Sequence, residues 1–243
     1  MKSMRLLGCL CLALAACLTA SGQQPKGRPK LLEKSWPVAD GLTVTVRSTK
    51  PQDLEVDLQI MGYFRHKAAG DTVLSVIVDF DKMMGGPIKA LRDRGEFMGE
   101  EQETLLLIPP AGVMKPKKVL LVGYGDDSRF SLDVIRRIGT TAVREASRLG
   151  AKKAAFAPAI RDQGNSKFST GDVERENVQG IILAYDTEKR LQQQRLAAPI
   201  ALEQFYLEAG PEFFEETVAG VEKGIAAANA ALAQRDKSPY TSK

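Results

Sequence analysis

Two kinds of hydrophobic pattern alternate along the middle of the chain. Apolar and polar residues alternate with period two over residues 42–47 and 54–60, which predicts two half-buried strands near a sheet edge. Residues 73–78, 104–108 and 119–122 are nearly continuous apolar runs. Runs of that kind are typical of strands covered on both faces, so the chain is expected to contain both edge and interior strands.

Helical spacing appears mainly in the second half of the chain. Residues 132–149 place apolar side chains along one stripe, with Ser131 in the N-cap position and Gly150 at the end. The other predicted elements are a short helix over 88–94, a buried strand over 154–157, a helix around 178–185, a strand over 200–207 and a helix over 213–234. Strands that alternate with helices favour an α/β fold with a mixed central sheet flanked by helices.

The N-terminus has the pattern of an export signal. Lys2 and Arg5 precede an apolar run over residues 6–20, which is shorter than the roughly 20 residues that a spanning helix needs. Residues 14–17, Leu-Ala-Ala-Cys, resemble the bacterial lipoprotein signal, in which the cysteine receives the lipid. We therefore expect Cys17 to anchor the protein to a membrane, in the bacterial periplasm and at the outer membrane. Ordinary cleavage after residues 20–22 is the alternative.

The predicted organisation has four parts. Residues 1–22 are the signal region, 23–39 a polar tether containing Pro and Lys, 40–209 the α/β domain, and 210–243 a C-terminal helical segment.

Composition narrows the chemistry. The 34 Lys and Arg against 30 Asp and Glu give no reason to expect a nucleic-acid partner. All three cysteines lie within residues 1–17, so the body of the protein has neither a disulfide nor a thiol site. His66 is the single histidine and is expected at the surface, where it would have to serve any hydrolase triad alone. No metal site, cofactor or catalytic residue is predicted.

Two glycine-rich loops are the candidate ligand sites. Gly123 and Gly125 follow a buried strand and precede a helix, where a phosphate-binding turn would lie. Ser128 replaces the third glycine of G-x-G-x-x-G, so glycines that merely permit a tight turn are the competing interpretation. Gly85 and Gly86 form the second candidate loop.

Asp79 and Asp81 precede that second loop. Alternate carboxylates suit a hard divalent cation, but alternation in a strand sends them to opposite faces. A solvated strand end is therefore the expected structure there.

Five segments, taken in order, resemble a known family. They are residues 94–110 (RGEFMGEEQETLLLIPP), 117–125 (KKVLLVGYG), 132–149, 180–190 (GIILAYDTEKR) and 224–243. Their order and spacing resemble the N-terminal domain of the leucyl (cytosol) aminopeptidase family over roughly residues 40–243. The resemblance implies a macro-domain-like, three-layer α/β fold and a role in assembly. It also implies that two-metal chemistry belongs to a C-terminal domain, whose signature Asn-Thr-Asp-Ala-Glu-Gly-Arg does not occur here.

The sequence thus favours an exported, lipid-anchored, non-catalytic domain that binds a protein or peptide, such as a peptidase subunit or a second copy. Two alternatives stay open: a module that binds an ADP-ribose-like nucleotide through Gly85, Gly86, Gly123 and Gly125, and one part of a split metallo-aminopeptidase.

Overall fold

A computed structural model describes residues 31–67, 69–71 and 75–241 of the chain, except for the side chain of Ser75. The strands are β1 (Glu33–Ala39), β2 (Leu42–Arg47), β3 (Leu58–Tyr63), β4 (Thr104–Leu107), β5 (Val119–Gly123), β6 (Lys153–Ala157) and β7 (Gln204–Glu208). The helices are α1 (Ser75–Met83), α2 (Pro87–Asp93), α3 (Leu132–Arg148), α4 (Thr170–Gln193) and α5 (Phe214–Gln234). The predicted signal region and Cys17 lie outside the described residues.

All the described strands belong to one mixed sheet with the order β1-β2-β7-β6-β3-β5-β4. The interior pairings are parallel, whereas β1 and β4 pair antiparallel at the two edges. Helices α3, α4 and α5 pack on one face of the sheet, and α1 and α2 contribute to a second apolar cluster on the other face. The predicted three-layer α/β fold with a mixed central sheet is therefore confirmed.

The predicted edge strand over residues 54–60 is an interior strand. Only Leu58–Tyr63 are in β3, which runs between β5 and β6 with every residue buried. The alternation over 54–57 belongs to the preceding loop, because Leu54 and Val56 pack against Ala155 of β6. A loop that buries every second residue imitates the period of a strand.

The apolar run over residues 73–78 was predicted as a buried strand, and this prediction is wrong. Helix α1 begins at Ser75 and buries Ile77 and Phe80, three residues apart, while Val76 stays exposed. A short apolar run does not distinguish strand from helix, and the buried positions here continue with helical spacing beyond the run.

Strand β4 was predicted to be covered on both faces, and this prediction is also wrong. It lies at the edge of the sheet and pairs only with β5 in the described part of the chain. Leu105 and Leu107 pack against the α1 and α2 side, whereas Leu106 is 38% exposed and the following Ile108 is 77% exposed.

Strand β1 occupies residues that were expected to be tether. Residues 33–39 pair with β2 through a turn at Asp40 and Gly41, both with positive φ. Such a turn matches the twist of a hairpin, so the segment joins the sheet as its second edge.

The remaining predictions of regular structure agree with the fold. Strands β5 and β6 and helices α2, α3 and α5 lie within a few residues of their predicted positions. Strand β7 and helix α4 also form where the pattern placed a strand and a helix. Helices α3 and α4 cross closely at Gly139, where an added Cβ would lie 2.4 Å from the Asn177 carbonyl oxygen.

Candidate functional site

The carboxyl ends of the parallel strands form the region where an open α/β sheet usually binds ligands. Among the connections at this edge of the sheet are residues 64–67, 124–131, 158–169 and 209–213, which follow β3, β5, β6 and β7. Gly125 belongs to the second of them. The side chains that occupy this edge decide which ligands the domain can take.

Aromatic side chains fill the space between the first three connections. Tyr124 is 1% exposed, and its hydroxyl donates a hydrogen bond to the Pro158 carbonyl oxygen at 2.7 Å. Phe64 and Phe130 pack edge-on to one another, with ring centroids 5.0 Å apart, and both rings adjoin Tyr124. Gly62 of β3 leaves the necessary room, since a Cβ there would lie 1.8 Å from the Tyr124 hydroxyl.

Gln163 joins two of these connections. Its Oε1 accepts a hydrogen bond from the Phe64 backbone N–H at 2.8 Å, and its Nε2 donates to the carbonyl oxygens of Gly62 and Ala159, both at 3.0 Å. A buried amide with its partners in place fixes the relative position of the two backbones. The crevice, by which we mean the space between these connections at the carboxyl ends of the strands, is thus closed in its interior by packing and by hydrogen bonds.

A cleft of about 290 Å³ remains at the outer side of Tyr124, beside the start of α3. Its lining residues are Glu100, Glu101, Tyr124, Gly125, Asp126, Arg129, Ser131, Val134 and Arg137. Gly125 is among them and has φ +74, which favours glycine. One of the predicted glycine loops therefore reaches a cleft.

The charges around this cleft are mixed. Arg137 forms an ion pair with Glu101 at 2.6 Å, and Arg65 forms one with Glu100 at 2.9 Å. Asp126 accepts hydrogen bonds from the backbone N–H and the hydroxyl of Ser128, which lower the pKa of the carboxyl group and keep it ionised. Three carboxylates therefore face the place that a phosphate would occupy.

The other candidate glycines have clear local roles. An added Cβ on Gly123 would lie 1.9 Å from the Glu100 carbonyl oxygen, so the glycine permits close packing of the preceding loop. Gly85 and Gly86 end α1, where their N–H groups donate to the carbonyl oxygens of Lys82 and Asp81. This is the hydrogen-bond pattern of a Schellman turn, and both glycines have positive φ.

Asp79 and Asp81 lie on α1 and not at a strand end as expected. The carboxylate of Asp81 accepts hydrogen bonds from the backbone N–H groups of Ile88 at 2.7 Å and Lys89 at 3.0 Å. It therefore satisfies two N–H groups in the first turn of α2. Within the ranges that the structure describes, no three His, Cys, Asp or Glu side chains are grouped as metal ligands.

His66 belongs to a partly buried polar cluster. Its Nδ1 lies 3.1 Å from Asp71 Oδ2, and the same oxygen accepts a hydrogen bond from Arg92 Nε at 2.6 Å. Arg92, 4% exposed, also donates to the Phe64 carbonyl oxygen and stacks over Tyr63. The histidine was expected at the surface, but it lies partly buried, with its ring beside the Asp71 carboxylate that also accepts a hydrogen bond from Arg92.

Burial and charge act in opposite directions on Asp71. Burial raises the pKa of its carboxyl group, but the hydrogen bond and positive charge of Arg92 outweigh this, so the pKa lies below its usual range. The carboxylate is thus ionised and serves to hold Arg92 and His66 together. This is the arrangement of a structural ion pair.

Two buried acids were missed by the sequence interpretation. Glu174 on α4 is 3% exposed, and burial raises the pKa of its carboxyl group to about 7. Both carboxylate oxygens of Glu208, at the end of β7, are shielded from solvent, and burial raises the pKa of this group to about 8. Glu174 lies in a charged stretch near the start of α4, two residues after Asp172 of the first turn, where exposed acids are ordinary, so no sequence signal marks it.

The fold defines a macro-like α/β domain. Among solved structures, a mutant macrodomain of Oceanobacillus iheyensis superposes with a TM-score of 0.54 at 11% identity, over 85% of this chain and 100% of that one. A mutant of tomato leucine aminopeptidase superposes with a TM-score of 0.58 at 19% identity, over 80% of this chain and 37% of that one. At such identities the likeness establishes the fold.

The family follows from the sequence itself. The profile of the cytosol aminopeptidase family, N-terminal domain, matches residues 61–194, so the chain belongs to that family through this domain. The probable cytosol aminopeptidase of Alkaliphilus metalliredigens is 33% identical over 114 residues, which are 46% of this chain and 22% of that protein. That of Roseiflexus castenholzii is 22% identical over 197 residues, 80% of this chain and 36% of that protein. The chain spans about a fifth to a third of these relatives.

Proposed function

We propose that this protein is an exported, lipid-anchored, non-catalytic domain that acts by binding a protein or peptide. The observation that carries the proposal is the filled crevice at the carboxyl ends of the strands. Tyr124, Phe130 and Gln163 occupy the space where this type of fold would hold a small molecule. The remaining cleft has mixed charge, with three carboxylates beside two arginines. Recognition of a macromolecule then falls to the outer surface.

Activity measurements test the absence of catalysis. The purified full chain is assayed on leucine p-nitroanilide with added manganese or zinc, beside a cytosol aminopeptidase as the positive control. We expect no turnover, because His66 is held by Asp71 and because no metal-ligand group lies within the described ranges. Metal-dependent turnover that follows the chain through successive columns contradicts the proposal.

The anchor is supported by the residues at the N-terminus. Lys2 and Arg5, the apolar run and the Leu-Ala-Ala-Cys segment together have the order of a lipoprotein signal. Among the described residues no helix is both long and apolar enough to cross a bilayer. Replacement of Cys17 by Ser is expected to release the protein from membranes and abolish labelling by a fatty-acid probe. Unchanged fractionation and labelling of this variant contradict the lipid anchor. Cys9→Ser is the matched control and should fractionate and label like the wild type.

Nucleotide binding is the second candidate, and one observation favours it. Gly125 and Ser131 line the cleft together with Arg129, close to the N-terminal end of α3, and one related fold is an Oceanobacillus iheyensis macrodomain with ADP. Calorimetry with ADP decides between the two. Heat of binding that disappears in the Arg129→Glu variant supports the nucleotide site, and its absence with folded protein supports protein or peptide binding.

A further inference from the structure

The two edges of the sheet differ in how they are protected against further strand pairing. Strand β1 contains Pro37, has an irregular register between Pro37 and Ala39, and carries Lys34 in an ion pair with Glu222. Proline, bulges and lysine are the usual means by which edge strands avoid pairing. Strand β4 has the sequence Thr-Leu-Leu-Leu and contains no proline, bulge or lysine; its protection is limited to its length of four residues and to Pro109, which follows Ile108.

The hydrogen-bonding groups of β4 alternate between β5 and the outside. Glu103 accepts a hydrogen bond from the Gly123 N–H at 2.8 Å, so by antiparallel alternation Leu105 and Leu107 also bond to β5. The backbone groups of Thr104, Leu106 and the following Ile108 therefore point away from the sheet. No backbone partner of these outward groups occurs within the described ranges.

The exposed side chains lie on the same outward-bonding residues. Leu106 and Ile108 are two residues apart, so their side chains lie on one face of the strand. Both are exposed large apolar residues. An edge strand with outward-pointing backbone groups and two exposed apolar side chains on one face is a template for another strand.

We propose that the β4 edge binds a second copy of this chain. Two β4 strands would pair antiparallel around a two-fold axis at Leu106, which would place Thr104 opposite Ile108 of the second copy. All three outward-bonding positions then find partners, and the exposed Leu106 and Ile108 side chains cover one another. The arrangement joins two sheets into one and is isologous, as most dimer interfaces are.

Charge at the two ends of β4 supports this occupant. Glu103 lies at the N-terminal end, where its carboxylate accepts hydrogen bonds from the backbone N–H groups of Met98 and Glu100. Glu100 and Glu101, beside it, are paired with Arg65 and Arg137, so the charge of Glu103 is the one left without a cation among these residues. The other end of β4 is basic and has Lys115, Lys117 and Lys118. Lys117 pairs with Asp57, and the other two have no ion pair in the described part of the chain. An antiparallel pair brings the acidic end of one copy toward the basic end of the other. The edge is therefore complementary to itself.

Paired charge variants test the two-fold geometry. The full chain is purified in a mild detergent, which covers the apolar residues 6–20 equally in all variants. Association is measured by sedimentation velocity. The wild-type chain is expected to dimerise, and L106E and L106K are each expected to raise the Kd at least about 100-fold, because like charges then face each other across the axis. A mixture of the two variants, differently tagged, is expected to form the heterodimer.

Two controls make the outcome decisive. Leu196→Glu alters another exposed leucine and should dimerise like the wild type, and circular dichroism confirms that every variant is folded. A wild-type chain that is monomeric, or an L106E variant that dimerises normally, overturns the proposal. Self-association rests on the proposed binding function, because it names the partner. A chain that is monomeric, lacks aminopeptidase activity and binds a different protein would overturn self-association but not the proposed function.

Discussion

The crevice at the carboxyl ends of the strands and the β4 edge belong to one sheet but differ in how completely their polar and apolar groups are buried and paired. In the crevice, Tyr124 and Gln163 bring every polar atom that they bury to a hydrogen-bond partner. At the edge, Leu106 and Ile108 leave apolar surface in solvent and backbone groups pointing outward. The first region has the properties of a core, and the second has the properties of an unfilled interface.

This difference shows that a shared fold does not carry a shared site. Loops at the ends of parallel strands bind ligands only where they leave a cavity with matching charge. Here the side chains of the loops fill much of that space themselves, and we propose that binding falls to β4 at the border of the sheet. The following changes challenge that contrast, from the largest expected effect to the smallest.

Gly62→Ala should be the most damaging change in the crevice. The added Cβ would lie 1.8 Å from the hydroxyl and 2.0 Å from Cζ of Tyr124, a buried ring that cannot move away. Overpacking of this severity is expected to cost about 3 kcal/mol or more in the free energy of unfolding, as measured by urea denaturation. The double variant with Tyr124→Leu should recover part of the loss, and an additive double variant would show that the crevice is not tightly filled.

Arg92→Ala should rank second. The change leaves the partly buried Asp71 carboxylate without its main partner and removes the hydrogen bond to the Phe64 carbonyl oxygen. Because Asp71 is 20% exposed, the cost is expected to be about 2–3 kcal/mol, at or below the lower end of what breaking a fully buried ion pair costs. Arg94→Ala is the matched control, since its exposed pair with Glu96 should contribute less than about 1 kcal/mol. Equal losses in the two variants would contradict the assignment of the cluster to the packed interior.

The buried acids predict a decrease in stability as the pH rises. The folded-state pKa values of Glu174 and Glu208, about 7 and about 8, lie above the ordinary value of 4.5. Their contribution is fully present below about pH 4.5, is lost as the pH rises through 7 and 8, and amounts to a few kcal/mol in total. Chemical denaturation at pH 5 and pH 8 measures it, in a range where Asp71 with its lowered pKa stays ionised.

Replacement of Glu174 tests whether this buried acid contributes to the pH dependence of stability. Glu174→Gln should remove its share of the dependence of unfolding free energy on pH, because the amide stays neutral throughout, and should leave the share of Glu208. Glu215→Gln, an exposed acid in the first turn of α5, should leave the dependence unchanged. Parallel curves for wild type and Glu174→Gln would place the titrating groups elsewhere.

The edge should be the most tolerant region in the stability of a single copy. Leu106→Lys replaces a side chain that is 38% exposed and belongs to none of the apolar clusters, so the unfolding free energy of the chain under monomeric conditions should change by less than about 1 kcal/mol. Dilute urea denaturation measures this. A loss of several kcal/mol would show that Leu106 belongs to the core, and the contrast with the crevice would fail.

Much of the architecture was predictable because the strongly periodic segments are long. The seventeen residues of α3 carry a clear apolar stripe, and β5 is an uninterrupted apolar run buried from both sides. Short segments were ambiguous, since α1 and β4 both begin as apolar runs of five or six residues. Tertiary contacts determine the structure of each: α1 packs Phe80 on the sheet, whereas β4 pairs with a strand on one side only in the described part of the chain.

The site was less predictable than the fold. The sequence placed Gly125 at a strand-to-helix turn, and the turn does reach a cleft. It could not show that Tyr124, the residue between the two glycines, fills the crevice, because that depends on the absence of a side chain at Gly62 on another strand. The Asp40-Gly41 pair between two extended segments was a hairpin signal for β1 that the tether interpretation overlooked.

Amide hydrogen exchange of the full chain compares the two regions in one measurement. The chain is examined at low and high concentration, and then with ADP in excess. We predict that residues 104–108 become more protected at high concentration, while residues 33–39 at the other edge and residues 124–131 in the crevice do not change under either condition. Unchanged exchange at 104–108, or protection of 124–131 by ADP, would contradict the claim that this domain binds through its β4 edge.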